Sequence, residues 1–168
     1  MALSLSSLTV NTFQQTLGAL SKILDKAAAH CEAKKIDEAV LLGLRLAPDM
    51  LPFVKQVQLT SDFAKNCLGR LTGEPPKFPD EEKTIAELKA RIAKTLDYVN
   101  SFKAADIDAA DSKDVTFPTG PQKTMTLKGD AFVIHFVLPN FYFHVSTAYD
   151  ILRHNGIEIG KMDFLGRA

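Results

Sequence analysis

Apolar side chains recur every three or four positions over four long stretches of the chain, which is the spacing that places them on one face of an α-helix. These stretches cover residues 10–27, 50–71, 85–99 and 130–155. The last stretch is apolar on nearly all sides in its first half, so we expect it to be buried on most sides or to contact a second subunit. The pattern predicts a bundle of four long helices.

Polar and helix-breaking residues separate these stretches. Asp49 and Asp80 precede the second and third stretches, and each predicts a helix cap because aspartate is favoured at helix starts. Residues 73–79 contain three prolines and a glycine and predict a connector. Pro139 predicts a bend in the last helix, and Gly156 predicts its left-handed end.

Helical periodicity disappears between residues 104 and 129, where the pattern becomes that of strands. Residues 115–117 and 124–127 are rich in threonine and large apolar side chains, and a Pro-Thr-Gly-Pro turn sequence lies between them at residues 118–121. This pattern predicts a small hairpin. The fold class that we predict is therefore all-α, a four-helix bundle with a short β-hairpin between the third and last helices.

Length and charge limit the classes of protein to consider. The chain has 168 residues, 46% of them hydrophobic, which matches one ordinary domain that buries its own core. Twenty Lys and Arg balance twenty Asp and Glu, so the chain lacks the excess positive charge that binds a phosphate backbone. We expect a single domain over residues 1–168 and no nucleic-acid partner.

No apolar run is long enough for a membrane helix, which needs about 20 apolar residues. The longest apolar region, residues 131–145, is interrupted by two histidines, a proline and an asparagine. The N-terminal segment has neither a basic start nor a sustained apolar run, so it matches neither a secretory signal nor a lipid-anchoring motif. We predict a cytoplasmic location and no membrane partner.

Several common sites are missing from the sequence. The two cysteines, Cys31 and Cys67, are too few for a disulfide framework and lack the short spacing of a metal or redox pair, so we expect reduced thiols. There is no glycine-rich phosphate loop, nucleophile elbow or helical His-Glu-x-x-His pair. These absences argue against the common nucleotide-binding, serine-hydrolase and zinc-protease functions.

His144 is the most site-like residue of the sequence. It follows Asn140 by one helical turn, so both side chains project from the same face of an otherwise apolar helix. Burying an imidazole and an amide costs about 1–3 kcal/mol for each group that is left without a hydrogen bond. Either His144 is a catalytic residue beside a pocket, or it is a core histidine whose hydrogen bonds are satisfied inside the bundle.

Gln58 and Asp62 are also one turn apart, and they flank the apolar stripe of the second helix. We predict that they face His144 and bind a ligand together with Asn140. A carboxylate beside the imidazole would orient the ring and raise its pKa, which prepares it as a general base or as a metal ligand. The alternative is that Gln58 and Asp62 lie at a solvated helix edge.

The predicted last helix of this chain carries Pro-Asn-Phe-Tyr-Phe-His at residues 139–144. With this motif, the order of the elements resembles that of the DinB/YfiT-like superfamily of four-helix bundles. Shorter motifs resemble, more narrowly, an uncharacterised branch of that superfamily, a domain-of-unknown-function family from bacteria and fungi. These motifs are residues 56–58 with 62–65, 143–149, 152–156 and 160–165. The resemblance covers essentially the whole chain.

The superfamily resemblance implies a divalent metal held by three histidines, one on the second helix and two a turn apart on the last. It also implies, for some members, a thiol-dependent transferase or isomerase activity. Only His144 matches this pattern, because Asn140 and Ala148 lie one turn on either side and the second helix has no histidine. A set that combines His144 with Gln58, Asp62 and Asn140 is rich in oxygen and would hold zinc or nickel weakly.

Two hypotheses for function follow. The first is a small-molecule enzyme, a metal- or thiol-dependent transferase or hydrolase, with a pocket around His144 and nickel, zinc or manganese as the implied cofactor. The second is a non-catalytic ligand-binding or structural protein with a degenerate metal site. In the second case we expect a homodimer joined through the apolar residues 132–143.

Overall fold

Four long helices form the body of the molecule, and the predicted all-α bundle with one hairpin is confirmed. The computed structural model describes residues 3–167. In chain order its elements are α1 (Leu5–Lys34), α2 (Glu38–Gly43), α3 (Phe53–Thr72), α4 (Ile85–Asn100), α5 (Ala104–Asp108), β1 (Asp114–Gly120), β2 (Lys123–Lys128), α6 (Gly129–Ala131), a π-helical segment (Phe132–Val137), α7 (Leu138–His154) and α8 (Lys161–Phe164).

Met1, Ala2 and Ala168 lie outside the described residues. The first two belong to the N-terminal segment on which the predicted cytoplasmic location depends. Between residues 3 and 167, no helix combines the length and the apolar character that crossing a membrane requires.

Helix α3 lies at the centre of the bundle. It packs against α7 and α4, and α4 in turn packs against α1. Aromatic side chains close the core between the first and last helices, where Phe13 and Phe141 are fully buried and meet edge to face with ring centroids 5.0 Å apart. The central position of α3 means that its side chains meet the last helix on one side and α4 on the other.

The starts of α3 and α4 differ from the prediction that Asp49 and Asp80 cap them. Helix α3 begins after Pro52, because a proline disfavours helical backbone in the residue before it and so excludes Leu51 from the helix. Helix α4 begins after Thr84, whose side chain and that of Glu87 form a capping box. The segment that contains Asp80 is therefore free to turn back onto the bundle.

The hairpin lies where the sequence predicts it, but its turn is two residues further along. Strand β1 continues through Pro118, which pairs with Thr124, and Gly120 pairs with Lys123 across an irregularity in the register. In a two-stranded sheet each strand is an edge, so a proline is tolerated where its missing N–H faces outward. The buried face of β1 carries Phe117, whose ring packs against those of the π-helical segment.

The last helical body runs without a break from α6 through the π-helical segment to α7, and the irregularity expected at Pro139 appears just before that residue. The N–H of Leu138 bonds to the carbonyl of Val133, five residues back instead of four. Pro139 has no N–H and its ring crowds the preceding turn, so the helix widens upstream of it. Gly156 follows the helix with a φ of 86°, the left-handed conformation expected of it.

Candidate functional site

His144 projects from α7 toward α3 and is almost completely buried, with 9% of its surface exposed. Its ring stacks on that of Phe63 from α3, with centroids 5.5 Å apart and an interplanar angle of 20°. Phe143 meets the same imidazole edge to face at 5.2 Å. The ring is thus held between aromatic side chains in a low-dielectric part of the seam between α3 and α7.

One hydrogen-bonded chain fixes the orientation of this ring. The amide nitrogen of Gln56 donates to the carbonyl of Leu51 at 3.0 Å, so the amide oxygen of Gln56 points the other way. That oxygen lies 2.8 Å from Nδ1 of His144 and can only accept a hydrogen bond. Nδ1 therefore carries the proton, and the lone pair of the neutral imidazole is on Nε2.

Burial keeps this imidazole neutral. Desolvation lowers the pKa of His144 below its ordinary value, and Gln56 is an uncharged partner that does not oppose this effect. Within residues 3–167, Nε2 makes no hydrogen bond. The resulting group is a neutral hydrogen-bond acceptor at neutral pH, in a fixed tautomer.

The predicted contact between His144 and the polar pair on α3 is not made. Gln58 instead donates to Glu82 at 2.7 Å, on the side of α3 that faces α4. Asp62 accepts from the Arg91 guanidinium at 2.9 Å. Neither residue lies at a solvated helix edge, because Gln58 is buried and Asp62 is half-buried. Whether they bind a ligand stays a prediction.

Asn140 does not hydrogen-bond to His144 either, although both lie on α7. Its amide donates to the carbonyl of Phe136 at 2.7 Å, within the π-helical segment. The side chain of Asn140 thus bonds back to a carbonyl one turn earlier on its own helical body. The structure therefore brings none of the three predicted ligand-binding residues into hydrogen-bond contact with His144.

Arg91 on α4 organises a buried polar network that the sequence did not reveal. Its guanidinium contacts Asp62 at 2.9 Å, Asp80 at 3.0 Å and Glu82 at 3.0 Å, and only 2% of its side chain is exposed. Burial opposes the charge, but Glu82, Asp62 and Asp80 outweigh it and raise the pKa of Arg91. The network joins α3, α4 and the segment between them.

A cavity of about 200 Å³ lies between α3, the hairpin and the π-helical segment, and His144 is not one of its lining residues. Four phenylalanines supply most of its apolar wall, and one of them, Phe63, also stacks on the imidazole of His144. We call it the aromatic cavity. Its lining residues are Leu59, Asp62, Phe63, Asn66, Cys67, Arg70, Phe117, Pro118, Phe132, Phe136 and Val137.

The thiol of Cys67 is an inert part of this wall. Cys67 is fully buried, and desolvation raises its pKa far above the ordinary range, so the nucleophilic thiolate is not formed at neutral pH. The charged residues of the lining are Asp62 and Arg70. A nucleophilic role for the cavity's own cysteine therefore has no support.

The residues around His144 do not fit the metal that the superfamily resemblance implies. The imidazole's neighbours are the amide of Gln56 and two phenyl rings, and nickel or zinc sites need several nitrogen, sulfur or carboxylate donors. In the part of the chain that the structure describes, no group of three or more His, Cys, Asp and Glu side chains is arranged so that it could hold a metal ion. We therefore assign no chemistry to a metal here.

Sequence reasoning missed Gln56, Arg91 and Arg70, although Gln56 and Arg91 each left a signal. Gln56 and Phe63 are seven residues apart on α3, two helical turns, which places them on one face of the helix. Their contacts with His144 show that this face meets α7. Arg91 follows Leu88 by three residues and precedes Ile92 by one, so it lies at the edge of the apolar stripe of α4. A charge in such a position indicates an ion-paired residue in the interior.

Comparison with known proteins agrees with the architecture. Residues 5–165 match one family model, which is described as a domain of unknown function (DUF1993). A crystal structure described as a DinB family member protein from Shewanella denitrificans is 46% identical in sequence; the match covers 96% of this chain and 92% of that chain, with a TM-score of 0.89. No curated protein matches this chain. The family match spans every helix and strand described above.

Proposed function

The chain belongs to the DUF1993 family and has a DinB-like fold, and from this premise we propose that it is a small-molecule-binding protein whose ligand occupies the aromatic cavity. The observation that carries the proposal is the cavity itself. It combines an apolar aromatic wall with a few polar groups, which is the composition of small-molecule sites. The volume of the cavity is about 200 Å³, whereas pockets for drug-sized ligands have volumes of about 300 Å³ or more. The cavity therefore fits a ligand smaller than a typical drug.

In this proposal His144 is a positioning residue. Its ring stacks on Phe63, and its own orientation is held by Gln56, so the imidazole supports one wall of the cavity. In this proposal the side chain acts without a metal ion, because its neighbours are the amide of Gln56 and two phenyl rings. A cytoplasmic location stays a prediction, and fractionation of cells would test it.

Catalysis is the second candidate, and the fixed tautomer of His144 favours it. A neutral imidazole with an unoccupied Nε2 is the form that accepts a proton, and the lowered pKa keeps it in that form. A general base of this kind needs the ligand to reach Nε2. Turnover that disappears in His144→Gln, while ligand affinity is kept, would replace the binding function by an enzymatic one.

A fragment screen tests the binding proposal directly. Small aromatic compounds are titrated against the protein, and two-dimensional NMR follows the residues that line the cavity. We expect at least one saturable ligand that shifts the signals of Phe63 and Phe136. Leu59→Trp, which fills the cavity from its half-buried wall, should abolish this binding. Leu96→Trp is the matched control, because Leu96 is half-buried on α4 and does not line the cavity.

The metal hypothesis has its own measurement. Dialysis against nickel, zinc and manganese, followed by mass spectrometry of the metal content, should give no stoichiometric ion. One equivalent of metal that is lost in His144→Ala would overturn the metal-free part of the proposal.

A further inference from the structure

Arg70 is the charged side chain of the aromatic cavity that lacks an ionic partner. It lies near the end of α3 and lines the cavity together with Asn66, one turn earlier. Within residues 3–167 it forms no salt bridge, and its Nε atom is buried without a hydrogen-bond partner. A buried guanidinium nitrogen without an acceptor is costly, so this atom needs an explanation.

The carboxylate of Asp62, the other charge of the lining, is already neutralised. Its Oδ1 lies 2.9 Å from the Arg91 guanidinium and 3.3 Å from Nζ of Lys65. Both cations are buried themselves, so this pairing is an integral part of the interior. The charge that remains uncompensated at the cavity is the single positive charge of Arg70.

The surroundings of Arg70 favour a partner that is anionic. Desolvation lowers the pKa of its guanidinium, which means that burial works against the charge and that a bound anion would relieve this effect. The side-chain amide of Asn66 makes no hydrogen bond in the described part of the chain either, and it can donate to the same anion. These two groups and the phenylalanine rings form one continuous lining.

We propose that the aromatic cavity binds a small monocarboxylate with a flat apolar body, and that Arg70 binds the carboxylate. The Nε–H and one Nη–H of Arg70 donate to its two oxygens in a side-on bidentate pair, the strong geometry for arginine and carboxylate. The apolar body packs among Phe63, Phe117 and Phe136. One uncompensated cation, with Asp62 close by, matches a monoanion better than a phosphate dianion.

This inference rests on the proposed function, because it names the ligand class for the same cavity. The experiment compares 3-phenylpropionate with its neutral isostere 3-phenylpropionamide by NMR titration. The two compounds have the same ring and nearly the same shape, so a difference in affinity reports the carboxylate. We expect the carboxylate to bind at least about tenfold more tightly, since hydrogen bonds to charged groups are the stronger ones.

Variants identify the residue responsible. Arg70→Gln should remove the preference for the carboxylate and leave the amide's affinity within about twofold, whereas Arg70→Lys should keep part of the preference. Arg153→Gln is the control, because Arg153 is exposed on α7 and does not line the cavity. Added salt should weaken the carboxylate more than the amide.

The outcomes separate the two proposals. Equal affinity of carboxylate and amide, or a preference that survives Arg70→Gln, overturns the carboxylate assignment and leaves the binding function intact. If other fragments bind in the cavity and neither of these two probes does, the carboxylate assignment falls in the same way. If no fragment binds there at all, the proposed function itself is wrong.

Discussion

The imidazole of His144 is oriented by an amide, and this choice of partner decides its charge. The amide oxygen of Gln56 accepts a hydrogen bond from Nδ1 but carries no negative charge that would stabilise the imidazolium. Burial destabilises the imidazolium, so the pKa of the ring falls. A carboxylate in the same place would have the opposite effect. The difference between the predicted carboxylate partner and the observed Gln56 is thus a difference between a raised and a lowered pKa of the ring.

Gln56→Glu converts one situation into the other. The new carboxylate would lie at hydrogen-bond distance from Nδ1 of His144, so we expect the pKa of the imidazole to rise above that of the wild-type ring. NMR titration of the His144 ring signals measures the change. Gln14→Glu serves as the control, because Gln14 is exposed on α1 and its side chain bonds to Asn100. An unchanged pKa in Gln56→Glu would contradict the assigned contact.

The lowered pKa of His144 also makes stability depend on pH. Above about pH 6.5, the ordinary histidine pKa, the ring is neutral in both the folded and the unfolded chain. As the pH falls below that value, the unfolded chain binds a proton that the folded ring resists, so the free energy of unfolding decreases until the folded pKa is reached.

His144→Gln removes this titration and should flatten the decrease. Urea unfolding between pH 7.5 and 5.5 provides the measurement. His154→Gln, which changes an exposed histidine at the end of α7, serves as the control. Identical pH profiles for wild type and His144→Gln would show that His144 does not cause the loss.

At the scale of single residues, the sequence singled out His144 as a polar side chain on an apolar helix face, but it did not reveal the partner of that side chain. Gln56 and Gln58 both belong to the motif at residues 56–58, and helical spacing cannot tell which of them faces α7 without the exact rotation of α3. That rotation is set by packing against two helices at once. Arg70 was missed because its significance comes from the lack of a partner, which only three-dimensional contacts reveal.

Among the elements, α3 and the segment that follows it approach each other unusually closely at Gly69. A Cβ added at this position would lie 2.6 Å from both Cα and Cβ of Pro75. The segment beyond Pro75 supplies Asp80 and Glu82 to the Arg91 network. A side chain at position 69 would therefore push the connector away from α3 and, with it, displace the carboxylates that pair with Arg91.

Gly69→Ala should lower the free energy of unfolding by about 1–3 kcal/mol, the usual effect of an added methyl group in a tightly packed place. Gly18→Ala is the matched control, since Gly18 lies within α1 and nothing stands within 4 Å of an added Cβ. We expect that substitution to stabilise the protein by about 0.5–1 kcal/mol, because alanine favours helix. Chemical unfolding of both variants measures the contrast, and equal effects would contradict the close approach.

The Arg91 network holds α4 against α3. Arg91→Met keeps the volume of the side chain but leaves three carboxylates close together without their shared cation, so we expect a loss of about 3 kcal/mol in unfolding free energy. Lys89→Met, on the same helix, removes only the exposed ion pair with Asp25 and should cost less than about 1 kcal/mol. Similar losses in the two variants would show that the network contributes no more than a surface pair.

Periodicity was sufficient to predict the four long helices, because each buries one apolar stripe. It was not sufficient for their ends. Thr84 and Glu87 have the spacing of a capping box, a local signal that outweighs Asp80 as the start of α4. The π-helical segment changes the hydrogen-bond spacing by one residue, and its side chains other than His135 are apolar, so the sequence pattern shows only Pro139 and not the widened turn before it.

At the scale of the whole molecule, the homodimer stays a prediction. The apolar surface that residues 132–143 can offer to a second subunit is smaller than the sequence suggests, because part of it is buried within the chain. Within residues 132–143 the chain buries Phe132, Val133, Val137 and Phe141 in its own bundle. Ile134, Tyr142 and Phe143 remain exposed and are the large apolar side chains available to a partner on this helix. A second copy of the chain would have to cover these.

Light scattering during size-exclusion chromatography measures the assembly. If the homodimer forms through this surface, the mass will be twice the 18.4 kDa of one chain, and Phe143→Lys will return it to 18.4 kDa. Lys161→Glu, at the exposed start of α8, is a charge-changing control that should leave the mass unchanged. A single-chain mass at high micromolar concentration would remove the homodimer.

The reaction rates of the two buried cysteines measure how often the structure around each of them opens. Burial raises the pKa of both thiols, with Glu38 and Asp37 adding to the effect at Cys31, so a thiol-modifying reagent reacts only when the surrounding structure opens. Cys67 lines the aromatic cavity, and Cys31 lies near the far end of α1. A ligand in the cavity should therefore slow modification of Cys67 and leave the rate at Cys31 unchanged, which lets mass spectrometry read occupancy without any introduced label.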